Sequence, residues 1–275
     1  MTGGPLVGAV PAPALHLMTL NVRRRMAPTR RVDDWARRAP LLGRLLRHER
    51  PAVIGVQEAL PDQASALGDA LGDGYRRVGR GRGRDGRGEG CPVFFDTGRL
   101  ELLSWTQSAL SDTPDQPGSM SWGNLMPRTV VDVRLRDRAT GRGLRVLNTH
   151  LDPFSARSRM RSAERLRLLA AETAGAVVVL GDMNSLPASE VAAELYAEGV
   201  LRDAWGAAHE RVTPPWDTFG GYRPPRARGR RIDWIAITRD VDVERVGVNA
   251  ASIGGLWPSD HLPVQAVVRL TEEPA

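Results

Sequence analysis

The sequence predicts a mixed α/β sandwich. Three observations carry this expectation: many short strand-like runs, long helical stretches between only some of them, and polar residues gathered at the run ends. Some runs follow one another directly and others are joined through a helix, which argues for mixed sheets rather than a purely parallel fold. At 275 residues and 41% hydrophobic, the chain can bury one large core or two ordinary ones.

The strand-like runs, in order, are LHLMTLNV (15–22), AVIGVQEA (52–59), CPVFFD (91–96), RTVVDVRL (128–135), LRVLNTHLD (144–152), AVVVLGDMN (176–184), IDWIAIT (232–238) and LPVQAVVRL (262–270). Each is rich in β-branched residues and bounded by Gly, Pro or Asp. VDDWARRAPLLGRLLRHE (32–49) sets Trp35, Leu42, Leu45 and Leu46 at the spacing of one helical face, and 155–174 does the same with Met160, Leu166, Leu169 and Ala170. With no repeat and no long linker, a single domain is expected over 15–272, after a flexible segment at 1–14. Two stretches, GRGRGRDGRGEG (79–90) and RPPRARGRR (223–231), are too rich in Gly, Pro and Arg to bury much surface and are expected to be mobile.

Composition excludes several classes. No apolar run approaches the roughly 18 residues of a spanning helix. The first residues lack a basic start and a continuous apolar segment, so a cytoplasmic setting is expected, with secretion left open. Cys91 is the single cysteine, which rules out an intramolecular disulfide and a thiolate metal cluster. The net charge is +6, yet all 38 basic residues are arginine. Such lysine-free usage reads as a compositional bias, and the charge argues only weakly for an anionic partner.

The informative pattern repeats at the run ends: Asn21, then Glu58, then Asn148, His150 and Asp152, then Asp182 and Asn184, then Asp233, and lastly Asp260 and His261. Singly, each has an ordinary structural role available, such as a turn cap, a helix cap or a satisfied core histidine. Together they imply one polar cluster at one rim, because desolvated carboxylates and imidazoles are costly unless paired or metal-bound. Hard oxygen ligands with two carboxylate-backed histidines suit hydrolysis of a phosphate ester with Mg²⁺ or Mn²⁺. HExxH, GxSxG and GxxxxGK[ST] are all absent, so zinc-protease, serine-hydrolase and P-loop readings fail.

The order of TLNVR, Trp35-x-x-Arg38, PAVIGVQEAL, GEGCPVFF, the tract WGNLMPRTVVDVRLRDRATGRGLRVLNTHLD, VVVLGDMNSLP, RIDWIAI and PSDHLPV resembles the endonuclease/exonuclease/phosphatase superfamily, from about Leu17 to Leu270. The resemblance implies a DNase-like four-layer α/β sandwich, two packed mixed β-sheets flanked by helices. It also implies a metal-dependent hydrolase acting on phosphoric esters. Glu58 would be the principal metal carboxylate, with Asn21 beside it and Asp260 completing the metal side. Asp182 would orient or deprotonate the attacking water, and Asn184 would bond a phosphate oxygen. His261, held by Asp233, would contact the phosphate. His150 would stabilise or protonate the leaving oxygen, with Glu89 orienting it. Arg128 is a candidate phosphate contact, and Thr218 and Phe219 are candidates for the pocket wall. The substrate stays open among a small phosphorylated molecule, a lipid headgroup and a nucleic acid, and no obligate protein partner is expected. The intact set argues against a silent binding protein that merely kept the fold.

Overall fold

The computed structural model describes residues 4–27, 30–227 and 229–271. Residues 1–3, 28–29, 228 and 272–275 lie outside the described residues; they include parts of the expected N-terminal segment, the second Arg-rich stretch and the domain end. Each of the eight strand-like runs contains a strand. The chain order is β1 (Leu15–Asn21), α1 (Trp35–Glu49), β2 (Val53–Gln57), α2 (Pro61–Leu71), β3 (Tyr75–Val78), β4 (Val93–Asp96), β5 (Leu100–Ala109), β6 (Thr129–Asp137), β7 (Gly143–His150), α3 (Ala156–Ala171), β8 (Val177–Asp182), α4 (Glu190–Leu195), β9 (Arg202–Asp203), α5 (Ala204–Ala207), β10 (Glu210–Arg211), β11 (Asp233–Ile237), β12 (Val241–Val248) and β13 (Val264–Leu270).

The strands form a seven-stranded sheet, β10-β12-β13-β1-β2-β4-β3, and a six-stranded sheet, β5-β6-β7-β8-β11-β9. Leu17, Val53, Phe95, Val146, Leu180 and Val264 belong to the layer between the sheets. Leu42, Leu46 and Leu67 of α1 and α2 cover the outer face of the first sheet with Met18 and Ile54, and Leu166 and Val191 of α3 and α4 cover the second with Val179. Because both faces of the central strands are covered, β1, β2 and β8 read as continuous apolar runs instead of alternating ones.

The helix starts follow local chemistry. Asp34 accepts the Ala36 amide at 3.0 Å to open α1, and Ser155 accepts the Ser158 amide at 3.1 Å to open α3. Strands β5 and β12 were not expected. Each carries a register shift, at Leu102/Ser104 and Val243/Arg245, and a bulge interrupts the alternation by which a strand is read.

Hydrogen bonds hold the described parts of three segments expected to be mobile. In the N-terminal segment, the Leu6, Val7 and Gly8 amides all donate to the Glu49 carboxylate at 2.7–3.1 Å. In 79–90, Gly81 donates to Gly86, Arg82 to Glu89 and Gly83 to Arg87, each at 2.9 Å. Glycine here permits close approach: a Cβ on Gly90 would meet the Arg80 carbonyl oxygen at 2.4 Å. In 223–231, Asp217 bonds the Arg226 backbone in both directions and Arg231 pairs with Asp203 at 2.5 Å. Composition alone hides such bonds because most are made by backbone groups.

Candidate active site

The topology brings the polar run ends to one rim. β1 and β2 are parallel, as are β7 and β8, so their C-terminal ends share a side. β13 and β11 run antiparallel to β1 and β8, so they begin there. The register completes the arrangement: His150 and Asp233 are each direct Cα partners of Asp182, so three ionisable residues stand abreast on three neighbouring strands.

Asp182 is the hub. Its Oδ2 accepts from Asn21 Nδ2 at 3.1 Å and lies 3.5 Å from His150 Nε2 and 3.7 Å from His261 Nε2, while its Oδ1 accepts the Asn184 amide at 2.9 Å. Asn21 Nδ2 also donates to Glu58 Oε1 at 3.0 Å, joining the two carboxylates. Glu58 Oε2 takes the Arg24 amide at 3.0 Å, so Glu58 serves this cluster rather than capping α2. His261 Nδ1 faces Asp233 Oδ2 at 2.9 Å, and Asn184 Nδ2 contacts both His150 Nε2 and the Leu151 carbonyl at 3.0 Å. Glu58 and Asn184 hold positive φ, +61° and +47°, conformations that non-glycine residues keep only where surroundings enforce them.

The two imidazoles are driven apart. Burial opposes charge on His261, but Asp233 and Asp182 outweigh it and raise its pKa to about 10. Burial pushes His150 down to about 4 despite Asp182. At neutral pH one ring is therefore a cation and the other a neutral imidazole. Burial favours neutral Glu58, yet the neighbouring His150, the Arg24 amide and Asn21 together lower its pKa to about 2. Asp182 is pushed up by burial and then by Asp233, and Asp260 is pushed up chiefly by burial.

Several carboxylates crowded at a rim, Glu58, Asp182, Asp233 and Asp260, call for a counter-cation. Glu58 and Asp260 offer carboxylate oxygens, and Asn21 an amide oxygen that here accepts the Arg23 amide at 2.9 Å; oxygens are what a hard divalent ion such as Mg²⁺ or Mn²⁺ prefers. Asp182, Asp233 and His261 also bring ligand atoms within 4.8 Å of one another. That trio fits a metal less well, because Nδ1 of a protonated His261 is committed to Asp233. Among the described residues the buried Oδ1 of Asp233 has no hydrogen-bond partner, a second sign of unsatisfied negative charge.

Other sequence candidates stand elsewhere in this arrangement. Glu89 does not orient a histidine by a hydrogen bond among the described residues; its oxygens are held by Arg24 at 3.2 Å and Arg82 at 2.5 Å. Arg128 is buried against Asp152 at 3.3 Å and lines a small pocket with Glu58 and His150. Asp152 in turn takes the Phe154 and Ser155 amides ahead of α3. Thr218 is fully buried instead of forming a pocket wall: its Oγ1 accepts the Ile232 and Asp233 amides at 2.9 and 3.1 Å. Phe219 is partly exposed, 4.9 Å from the His261 ring, with the Arg230 guanidinium 5.5 Å from its own centroid.

Asn148 lies below the rim, not in it. Its Nδ2 donates to carbonyls of Val56, Cys91 and Pro92 in the other sheet, and its Oδ1 accepts from Gln57. Residues the sequence reading left without a role include Arg38 of the Trp-x-x-Arg motif and Arg23. Arg38 is buried and donates to the Val22, Arg23 and Pro258 carbonyls, tying the segment after Asn21 to the segment before Asp260. Arg23 stands 3.6 Å from Asp260. The signal for Arg38 was its place in the Trp35-x-x-Arg38 segment of the family resemblance, which gave it no role.

A two-sheet sandwich flanked by helices, with a histidine–carboxylate cluster across its strand ends, is the DNase I-like architecture. A model of the endonuclease/exonuclease/phosphatase family matches residues 18–261, and the chain belongs to that family. It is 28% identical to the endonuclease/exonuclease/phosphatase from Bacteroides vulgatus, with a TM-score of 0.87 over 94% of this chain and 99% of that one. It is 25% identical to a mannosyl-6-phosphatase of Bacteroides thetaiotaomicron, with a TM-score of 0.84 over 92% and 99%. The human nocturnin catalytic domain, 18% identical with a TM-score of 0.71 over 94% and 95%, shares the fold. No curated protein sequence matches the chain.

Proposed function

We propose that this protein is a divalent-metal-dependent phosphoesterase that hydrolyses a phosphate ester by in-line attack of water. The observation that carries the reading is the hydrogen-bonded set Asn21–Asp182 and Asp233–His261, with His150 on the other side of the same Asp182 oxygen. Family membership and the likeness to a mannosyl-6-phosphatase support it.

The residues divide the work. Asp182, raised by burial and placed between two rings, orients the attacking water and takes its proton. His261, kept protonated by Asp233, donates to a non-bridging phosphate oxygen as negative charge grows there. Asn184 would donate to a phosphate oxygen by giving up one of its two Nδ2 contacts, to His150 or to the Leu151 carbonyl. His150, neutral and in contact with Asn184, positions that donor; a ring with a pKa near 4 is poorly protonated at neutral pH and is a weak candidate for the general acid. Glu58, Asn21 and Asp260 would hold Mg²⁺ or Mn²⁺, which when bound supplies charge neutralisation and polarisation at the phosphate.

The test is hydrolysis of an aryl phosphate monoester and diester with added Mg²⁺ or Mn²⁺. Turnover is expected with metal and should vanish with chelator. Turnover that survives chelation would overturn the metal assignment, and inactivity on every phosphate ester would overturn the reading as a whole.

A further inference from the structure

The Arg-rich loop 79–90 stands out by composition and has no part in the chemistry above. Its hydrogen bonds hold it against β5: the Arg80 amide donates to Gln107 Oε1 at 2.8 Å, and Gln107 Nε2 donates to the Gly81 carbonyl at 3.4 Å. Between loop and strand lies a groove of about 600 Å³. Its ionisable lining is Arg80, Arg82, Arg84 and Asp85, so it is net cationic. Asp85 is 3.4 Å from Arg87, which reduces its claim on the groove arginines.

The groove borders the active-site rim. Arg82 and Thr129 line both the groove and the small pocket that contains Glu58, Arg128 and His150. Arg82 faces the catalytic side, committed to Glu89. Arg80 and Arg84 are exposed, and among the described residues neither makes an ion pair. The Arg80 guanidinium lies 5.4 Å from the centroid of half-buried Trp105, which holds it over the groove at little entropic cost. Like charges set side by side without counter-charges repel, and the arrangement is relieved when an anion enters. The backbone that carries them is already bonded in place, so the groove is preorganised.

We infer that this groove is a subsite for a second anionic group, a further phosphate on the substrate beyond the ester that reacts. The inference rests on the phosphoesterase reading for the meaning of "second", since the first phosphate is the one at Asp182 and His261. A second phosphate could belong to a small bisphosphorylated molecule or to the next unit of a nucleic-acid strand, and the two are separable by experiment.

Binding is measured by calorimetry on the full chain in chelator, so that the readout does not depend on turnover. The probes are a hexose monophosphate, a hexose bisphosphate and an oligothymidylate of about ten nucleotides. The bisphosphate should bind at least about tenfold more tightly than the monophosphate, as expected for one added charge-assisted contact. Arg84→Ala should remove most of that gain and Arg84→Glu all of it, with an unchanged thermal midpoint showing that both variants fold.

If the oligonucleotide binds more tightly than the bisphosphate, and Arg84→Ala lowers its salt slope by about one, the groove tracks a nucleic-acid backbone. If the oligonucleotide gains nothing over the bisphosphate, the occupant is a small molecule. Equal affinity for mono- and bisphosphate, or a bisphosphate preference untouched by both Arg84 variants, overturns the inference. The aryl phosphate assay fails or succeeds separately: discrimination without turnover leaves the groove standing and removes the activity, and turnover without discrimination does the reverse.

Discussion

The two ends of β1 each bury a histidine near a carboxylate, and they are built to opposite ends. At one end His16 contacts the Gly8 carbonyl at 2.8 Å, beside Glu49, which takes the amides of Leu6, Val7 and Gly8 and the Nδ2 of Asn249. At the other end, about 17 Å along the strand at 3.3 Å per residue, Asn21 meets Glu58 and Asp182, which crowd with Asp233 and Asp260. Glu49 is saturated by four neutral donors, whereas one oxygen of Asp233 has no partner among the described residues. A buried carboxylate supplied with enough donors is a structural anchor. Carboxylates gathered with fewer donors carry negative charge that a cation can offset. Residue type does not separate the two cases; the count of donors does.

The largest expected effect breaks the rim alone. Asp182→Asn and His261→Ala should each lower kcat by about 10²-fold or more, the scale of losing a proton-transfer or charge-stabilising group. The thermal midpoint should stay close to the parent's in Asp182→Asn, whereas His261→Ala, which strands the buried Asp233 carboxylate, should lower it, so its rate is read on the folded fraction. Near-parental rates in both variants would show that the chemistry lies elsewhere.

Glu49→Ala should do the converse. It strands three backbone amides and Asn249 in a buried position, for a loss of about 3 kcal/mol or more in chemical denaturation. Specific activity of the folded fraction should be unchanged. An equal loss of activity would mean that the two ends of β1 are coupled.

A smaller effect is expected midway, where the sheets are stapled. A Cβ on Gly55 would stand 2.5 Å from Asn148 Oδ1, and Asn148 is two residues before His150. Gly55→Ala should destabilise by about 1–3 kcal/mol through overpacking. It should also lower kcat/KM, because His150 moves with Asn148; a stability loss with untouched kinetics would separate staple from site.

The last effect, expressed only at acid pH, is a pH dependence at the structural end. Burial pushes His16 from its ordinary 6.5 down to about 4. Below 6.5 the unfolded chain takes up a proton that the folded chain refuses until about pH 4. Stability is therefore intact above about 6.5 and falls as the pH drops through that window. Urea midpoints should show a shallower fall in His16→Gln than in the parent chain, and parallel curves would contradict the assignment.

Much of this was legible in the sequence, because it depends on local patterns. Eight strands announced themselves as apolar runs between Gly, Pro and Asp, and α1 and α3 by the spacing of one helical face. The strands that escaped notice were short, such as Tyr75–Val78, or bulged, such as β5 and β12. Asn21, Glu58, His150, Asp182, Asn184, Asp233, Asp260 and His261 were nameable as a set, because polar residues ending so many core strands together demand a reason that none demands alone. Thr218 and Phe219 read alike as neighbours in the chain, yet Thr218 turns inward to hold Asp233 while Phe219 packs on His261.

The sequence by itself determined which residues had to find partners, since burial periodicity and the cost of lone charges are properties of short segments. Only the tertiary structure decided who the partners are. Strand register is set by long-range packing, and it placed His150 and Asp233 on either side of Asp182. Register likewise split the histidines into a cation and a neutral ring, and the fold of the 79–90 loop gave Glu89 to Arg24 and Arg82. These outcomes depend on separations of a few ångströms between residues more than a hundred positions apart in some cases, such as Asn21 and Asp182. No local pattern carries that distance.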